Sequence, residues 1–291
     1  MAKKSFPLTW ASVKKLVASS PPARSPATIS WVATQRLIDA AYEDALPRAE
    51  MLRSEISQST SRLRGIGEPL LLDLGLHRRL DKAREESYSD WLAWTLDQLG
   101  TAGSVFHALG IEKHQALERC GQHCSVSSRE VCIQEGHEGH AGRVDILVQF
   151  GTAAALVVEV KLGPPADPMQ LAGYHKSMAT IPGACEPGVL IAVAEDSNAA
   201  PHGFVTRSWA GVCKRLRWLV ADLLTKNCHP LKAALMLAFL SAVEQNIVGL
   251  PAHALRAISR GQPVQVSPTM AERLMAHLRA SSNWDSGGLM K

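Results

Sequence analysis

Apolar positions recur along this chain in two rhythms, one of three to four residues and one of two. From Trp31 to about Leu63 the spacing is helical, with Trp31, Ile38, Ala41/Tyr42, Ala45, Met51/Leu52 and Ile56 on one stripe. Pro47 predicts a kink or a division of that helix. Tyr88, Trp91, Leu92, Thr95 and Leu99 mark a second helix face, closed by Gly100 as a C-cap. Arg129 to Gln134 reads as a short strand, and Arg143 to Phe150 and Ala155 to Leu162 as two β-rich runs joined by a small-residue turn, hence a hairpin. Met169 to Met178 predicts a helix and Val189 to Ala194 a buried strand. Helical stripes return at Trp209, Val212/Cys213, Leu216, Leu219/Val220 and Leu223, then at Leu235, Ala238/Phe239, Ala242/Val243 and Ile247. Helix, three strands, helix, strand, helix predicts an α/β layer architecture.

Breakers organise the chain. Residues 1–29 are rich in Ser, Pro and Ala and read as a loose leader, and Gly65-Ile66-Gly67-Glu68-Pro69 reads as a linker. The expected division is therefore 1–66 as leader and helical extension, 67–250 as the main domain and 251–291 as a C-terminal helical tail. A length of 291 residues, 46% hydrophobic and 20% charged, is that of a globular protein and excludes disordered, collagenous and coiled-coil compositions. The net charge of +4 excludes a polycationic nucleic-acid coat. Its distribution is uneven: 13 Lys/Arg against 8 Asp/Glu in 1–83, 13 against 17 in 84–250, and 5 against 2 in 251–291. Basic flanks around an acidic centre suit a polyanion held at the edges and a metal held in the middle, and scattered solvated charge would give the same figures. Six cysteines in so long a chain do not suggest a disulfide scaffold. The N-terminal apolar stretch is interrupted by Pro7, Lys14 and Lys15, and Ala233 to Val243 is too short to span a bilayer. No membrane association and a reducing cytoplasm are expected.

The chemistry concentrates in the hairpin. In Ala155-Leu156-Val157-Val158-Glu159-Val160-Lys161-Leu162, period-two alternation puts Glu159 and Lys161 on one face. Charges in such a run are costly to desolvate unless they are paired or bound to a metal. The preceding strand carries Asp145 among aliphatics. Opposed residues of an antiparallel pair share a face, so Asp145 meets Glu159 or Lys161 if paired numbers sum to 304 or 306. Both sums leave an odd turn, for example Gly151 to Ala153. Two carboxylates and a lysine at one spot suit metal-assisted phosphodiester hydrolysis, with Mg²⁺ held by hard oxygens and the ammonium orienting water or stabilising developing charge. A cross-strand salt bridge on a half-exposed sheet is the plain alternative.

Gly142-Arg143-Val144-Asp145, Val158-Glu159-Val160-Lys161, then Gln170 and Tyr174, resemble the PD-(D/E)XK nuclease superfamily, the restriction-endonuclease-like fold. Glu85-Glu86-Ser87-Tyr88-Ser89-Asp90-Trp91-Leu92-Ala93-Trp94 is similar to the first-helix signature of a prokaryotic branch, E-x-x-[HY]-S-x-x-L-A-W. Arg207-Ser208-Trp209 opening a helix and Glu244-Gln245-Asn246-Ile247 ending one also fit, and the likeness covers roughly residues 68–250. Val144 stands where the name-giving motif has Pro, and Tyr88 where the branch often has His. The resemblance implies a central mixed sheet flanked by helices, with Asp145 and Glu159 as ligands of Mg²⁺ or Mn²⁺, Lys161 as the catalytic lysine and Glu85 as a further acidic group near the metal. Glu85 is favoured over Glu86 by its own helix face, since 85, 88 and 92 align. Gln170 and Tyr174, four apart on the next helix, match a Q-x-x-x-Y element that contacts substrate or supports the site.

Other candidates are weaker. His114, Cys120, His123 and Cys124 lack the paired spacing of structural zinc, and His137-Glu138-Gly139-His140 is one residue short of H-E-x-x-H. No P-loop, G-x-G-x-x-G or G-x-S-x-G element is present. Arg207, Lys214, Arg215 and Arg217 form the densest basic cluster and are candidate DNA-phosphate contacts, with Arg62, Arg64, Arg78 and Arg79 extending the track. Trp91 and Trp94 read as core. The expected activity is divalent-metal-dependent hydrolysis of DNA. The alternatives are an inactive nucleic-acid-binding or protein-interaction module, or an oligomer or partner complex docked through 1–66.

Overall fold

The computed structural model describes residues 68–112, 114, 116–120, 125–133, 142–163, 166–194, 197–225, 230–260, 262 and 267–282, with helical backbone also at Arg36, Asp39, Ala40, Glu43, Pro47, Glu50, Met51 and Ser54. The chain divides into two compact units, Met1–Glu50 and Met51–Lys291. Residues 251–291 thus belong with the second unit, and Glu68, expected in a linker, is buried. No helix among the described residues is long and apolar enough to cross a membrane.

The second unit is an α/β structure whose elements run α1 (Leu76–Leu80), α2 (Glu85–Leu99), α3 (Ala102–Ala108), α4 (Ala116–Cys120), β1 (Ser125–Ile133), β2 (Gly142–Phe150), β3 (Ala154–Val160), α5 (Pro168–Met178), β4 (Gly188–Ala192), a 3₁₀ turn (Ser197–His202), β5 (Phe204–Ser208), α6 (Trp209–Thr225), α7 (Pro230–Asn246), α8 (Ala252–Ser259) and α9 (Pro268–Ser282). The five strands form one mixed sheet in the order β1-β2-β3-β4-β5. The first three are an antiparallel meander, and β4 and β5 add in parallel. The β2–β3 pairs run from Phe150↔Ala154 to Ile146↔Val158, so paired numbers sum to 304 around the turn Gly151 to Ala153. Gly151 takes the corner with φ 57°, a left-handed conformation that costs a residue without Cβ little.

β3 is buried along its whole length, as expected of a strand covered on both faces. Leu156, Val158 and Val160 join Ile146, Val148 and Phe150 in the larger core, with Leu92 and Leu96 of α2, Trp209 and Leu216 of α6, and Phe239 of α7. Ala155 and Val157 pack in the smaller core with Leu171, Tyr174 and Met178 of α5. Helix α2 carries Glu85 and Glu86 in its first turn, where the helix dipole favours carboxylates, and Gly100 ends it at φ 77°. Helix α5 is started by the Asp167 carboxylate accepting from the Met169 N–H, with Pro168 at the first position.

Four elements differ from the sequence reading. β5 occupies residues read as the approach to a helix; its five residues end in Thr206, Arg207 and Ser208, which give no alternating apolar signal. It pairs with β4 closely enough that a Cβ at Gly188 would lie 2.7 Å from the Phe204 ring. The short helices α1 and α3 had no pattern of their own. Helix α7 is buried nearly all round, at Met236, Leu237, Phe239 and Leu240, while Leu235 is exposed. The expected stripe is therefore only part of a broad apolar surface, with Lys232 near its start and Glu244, Gln245 and Asn246 at its end.

Arg217 corrects one expectation. It is not a surface cation: its guanidinium lies inside the unit, with Nη1 and Nη2 donating to Glu68 at 2.8 and 2.5 Å and Nε and Nη2 to Glu244 at 2.5 and 2.6 Å. His277 of α9 adds a contact to Glu244 at 2.8 Å. Burial works against the ionised Glu244, but Arg217 and His277 hold its pKa down to about 2. This network joins α6, α7, α9 and the segment before α1. Removing one member of a buried pair leaves an uncompensated charge, so Arg217→Met is expected to lower unfolding free energy by roughly 3–5 kcal/mol in urea titrations. An unchanged urea midpoint would contradict the structural role.

Candidate active site

Four charged groups singled out in the sequence meet where β2 and β3 part. The ladder ends at Ile146↔Val158, and one step further Asp145 faces Glu159. The Val160 N–H donates to Asp145 Oδ2 at 2.9 Å, and the Asp145 N–H lies 3.5 Å from Glu159 Oε2. Two residues after Glu159 and just past the end of β3, Lys161 Nζ is 3.0 Å from Glu159 Oε1 and 3.8 Å from Glu85 Oε1. The second Glu85 oxygen accepts from the Leu162 N–H at 2.9 Å. Glu85, not Glu86, is the residue that reaches the site.

The strand chemistry fixes this geometry. Lys161 continues the β3–β4 pairing by donating its N–H to the Ile191 carbonyl at 2.8 Å, and its own carbonyl lies 3.3 Å from Trp209 Nε1. With the main chain held on both sides, period-two alternation places the ammonium over Glu159. Glu159 is 1% exposed. Burial and the neighbouring Asp145 charge raise its pKa to about 7, against the pull of Lys161. Asp145 is also raised, chiefly by burial. Burial opposes the charged form of Lys161, yet Glu159, Glu85 and Asp145 together hold its pKa above the ordinary lysine value.

Gln170 and Tyr174 lie beside the same strands. Gln170 Nε2 donates to the Tyr174 hydroxyl at 2.6 Å, and that hydroxyl donates to the Arg143 carbonyl at 2.8 Å, two residues before Asp145. Burial, then the Glu159 charge, raises the Tyr174 pKa. The pair thus steadies β2 at the approach to the site.

The basic cluster is not brought together here. Arg207 spends Nε and Nη2 on the Gly110 carbonyl at 2.9 and 2.8 Å and Nη1 on the Thr206 carbonyl at 2.8 Å. Arg215 lies 3.8 Å from Glu112 and packs so closely on Gly110 that a Cβ there would meet its guanidinium at 2.7 Å. Lys214 is half-buried on α6, and Arg217 is interior. Arg62 and Arg64 lie outside the described residues, while Arg78 pairs with Asp73 at 2.8 Å. Trp91 stacks on Phe239 with centroids 6.2 Å apart and Trp94 packs edge-on to Trp91 at 5.6 Å, as core residues should. Cys120 is buried, His123, Cys124 and the His137–His140 segment lie outside the described residues, and among the described residues no group of three or more His, Cys, Asp or Glu side chains is placed to hold a metal ion alone.

Sequence reasoning missed Arg129 and Asp90. Arg129 is a charge within a β-rich run, the same signal that marked Asp145, and Asp90 lies one helical turn after Glu86. Comparison with protein-family models, with curated proteins and with solved structures finds no match to this chain.

A raised Glu159 pKa has a definite sign for stability. In the metal-free protein its contribution is fully present below the ordinary value of 4.5 and is lost as pH rises through about 7. Between pH 5 and pH 8, Glu159→Gln is therefore expected to lose less stability than wild type, by on the order of 2 kcal/mol in denaturant titrations. Parallel curves would contradict the burial-driven shift.

Proposed function

We propose that this chain is a divalent-metal-dependent nuclease of the PD-(D/E)XK, restriction-endonuclease-like kind, hydrolysing phosphodiester bonds in DNA. The observation that carries the reading is the convergence of Asp145, Glu159 and Lys161 through a register of 304, with Glu85 beside the ammonium. In chain order α2, three antiparallel strands, α5 and β4 surround it, the order that the hydrophobic spacing predicts.

The donor set fits a hard cation. Mg²⁺ and Mn²⁺ favour oxygen ligands, and Mg²⁺ commonly takes only one or two protein carboxylates, keeping waters and substrate phosphate for its other positions. Asp145 and Glu159 would hold it, and the cation would give the buried Glu159 carboxylate a partner of opposite charge. When bound, such an ion supplies Lewis acidity at the phosphate and favours ionisation of the attacking water.

The remaining groups act from this chain. Lys161 presents an ammonium, with up to three donors, where negative charge grows on the phosphoryl oxygens. Its raised pKa keeps it charged at neutral pH. Glu85 faces that ammonium and fixes the Leu162 N–H, so the chain after Lys161 is held to α2. Gln170 and Tyr174 hold Arg143, and through it the strand that delivers Asp145. DNA would bind mainly through backbone phosphates and more weakly as salt rises.

Purified protein with plasmid or linear DNA and Mg²⁺ or Mn²⁺ is expected to produce cleavage that EDTA abolishes. Lys161→Ala and Asp145→Asn should each lower the rate by at least ~10²-fold. Cleavage by Lys161→Ala at the wild-type rate would reject the reading.

A further inference from the structure

Asp145 sits at a weak point of the sheet. Pairs between β1 and β2 run from Ser125↔Phe150 to Arg129↔Ile146 and resume at Val131↔Val144, skipping Glu130 and Asp145. Glu130 has φ 50°, an unusual conformation for a residue with a Cβ. On the other side the β2–β3 ladder has already ended at Ile146↔Val158. The Asp145 main chain is thus held by neither ladder, and its carbonyl needs a donor from elsewhere.

Arg129 supplies it. Its Nη1 donates to the Asp145 carbonyl, Nη2 to the Glu86 carbonyl at 3.1 Å and Nε to Asp90 Oδ1 at 2.6 Å. One guanidinium therefore ties the strand carrying Asp145 to the first turn of the helix carrying Glu85. The planar fork of donors lets it serve three acceptors on two elements, which a lysine ammonium on a flexible stem does not reproduce. We propose that Arg129 is the positioning residue that sets the spacing between Asp145 and Glu85 across the site, an inference that rests on the nuclease reading for its catalytic consequence.

Two amides report that spacing directly. The Val160 N–H is bonded to the Asp145 carboxylate and the Leu162 N–H to the Glu85 carboxylate. In the metal-free full-length protein, Arg129→Gln should speed hydrogen exchange at both amides about tenfold, while the amide of Lys161, bonded to Ile191 across β4, stays at its wild-type rate. On DNA with Mg²⁺, Arg129→Gln should lower kcat about 10²-fold with KM within a factor of two, and Arg129→Lys should not restore kcat. A role confined to stability would lower the unfolding temperature, leave kcat of the folded fraction intact and accept lysine. Unchanged exchange at Val160 and Leu162, or a wild-type kcat in Arg129→Gln, overturns the inference. If wild type itself cuts no DNA, the nuclease reading fails and the exchange result alone decides whether Arg129 sets the spacing.

Discussion

The structure turns on one buried carboxylate. Glu159 lies in the middle of a sheet, on a strand covered on both faces, with Asp145 beside it. An ion so placed is tolerated only with a counter-charge, and Lys161 at 3.0 Å supplies one. The pair is incomplete, because a single ammonium stands against Asp145, Glu159 and Glu85 together. A divalent cation would relieve that surplus of negative charge; burial first, and the Asp145 charge second, push the Glu159 pKa up to about 7, while the adjacent lysine stays charged.

Much of this was legible in the sequence because it rests on local periodicity. Alternation alone put Glu159 with Lys161, and the odd turn after Phe150 allowed Asp145 to oppose Glu159, which the observed register realises. Helical spacing chose Glu85 over Glu86, and the hydrogen bond to Leu162 agrees. What was not legible depends on contacts between distant segments. Arg217 carries the same charge as Lys214 and Arg215, and only the fold reveals that Glu68 and Glu244 enclose it. β5 lacked a signal because three of its five residues are polar and its hydrogen bonds come from β4. Arg129 was hidden for a related reason, since its acceptors lie on α2 and β2.

Three arginines illustrate how basic residues can be taken from the surface into architecture. Arg217 bridges an interior pair of carboxylates, Arg207 caps the Gly110 carbonyl, and Arg129 joins helix to strand. Each uses the fork geometry of the guanidinium to satisfy acceptors on separate elements. Counting basic residues along the chain therefore overstates the charge available to a polyanion. The basic track expected along α6 is therefore not assembled, because Arg207, Arg215 and Arg217 are taken up by internal contacts.

We propose that Asp145 and Glu159 converge to hold one divalent cation beside Lys161. A crystal structure of the protein equilibrated with Mn²⁺, with data collected at the manganese absorption edge, tests it most directly. An anomalous peak bridged by Asp145 and Glu159 oxygens at roughly 2.0–2.3 Å is the predicted result. Two ordered carboxylates with no peak between them, or an Asp145 side chain turned away from Glu159, would contradict it.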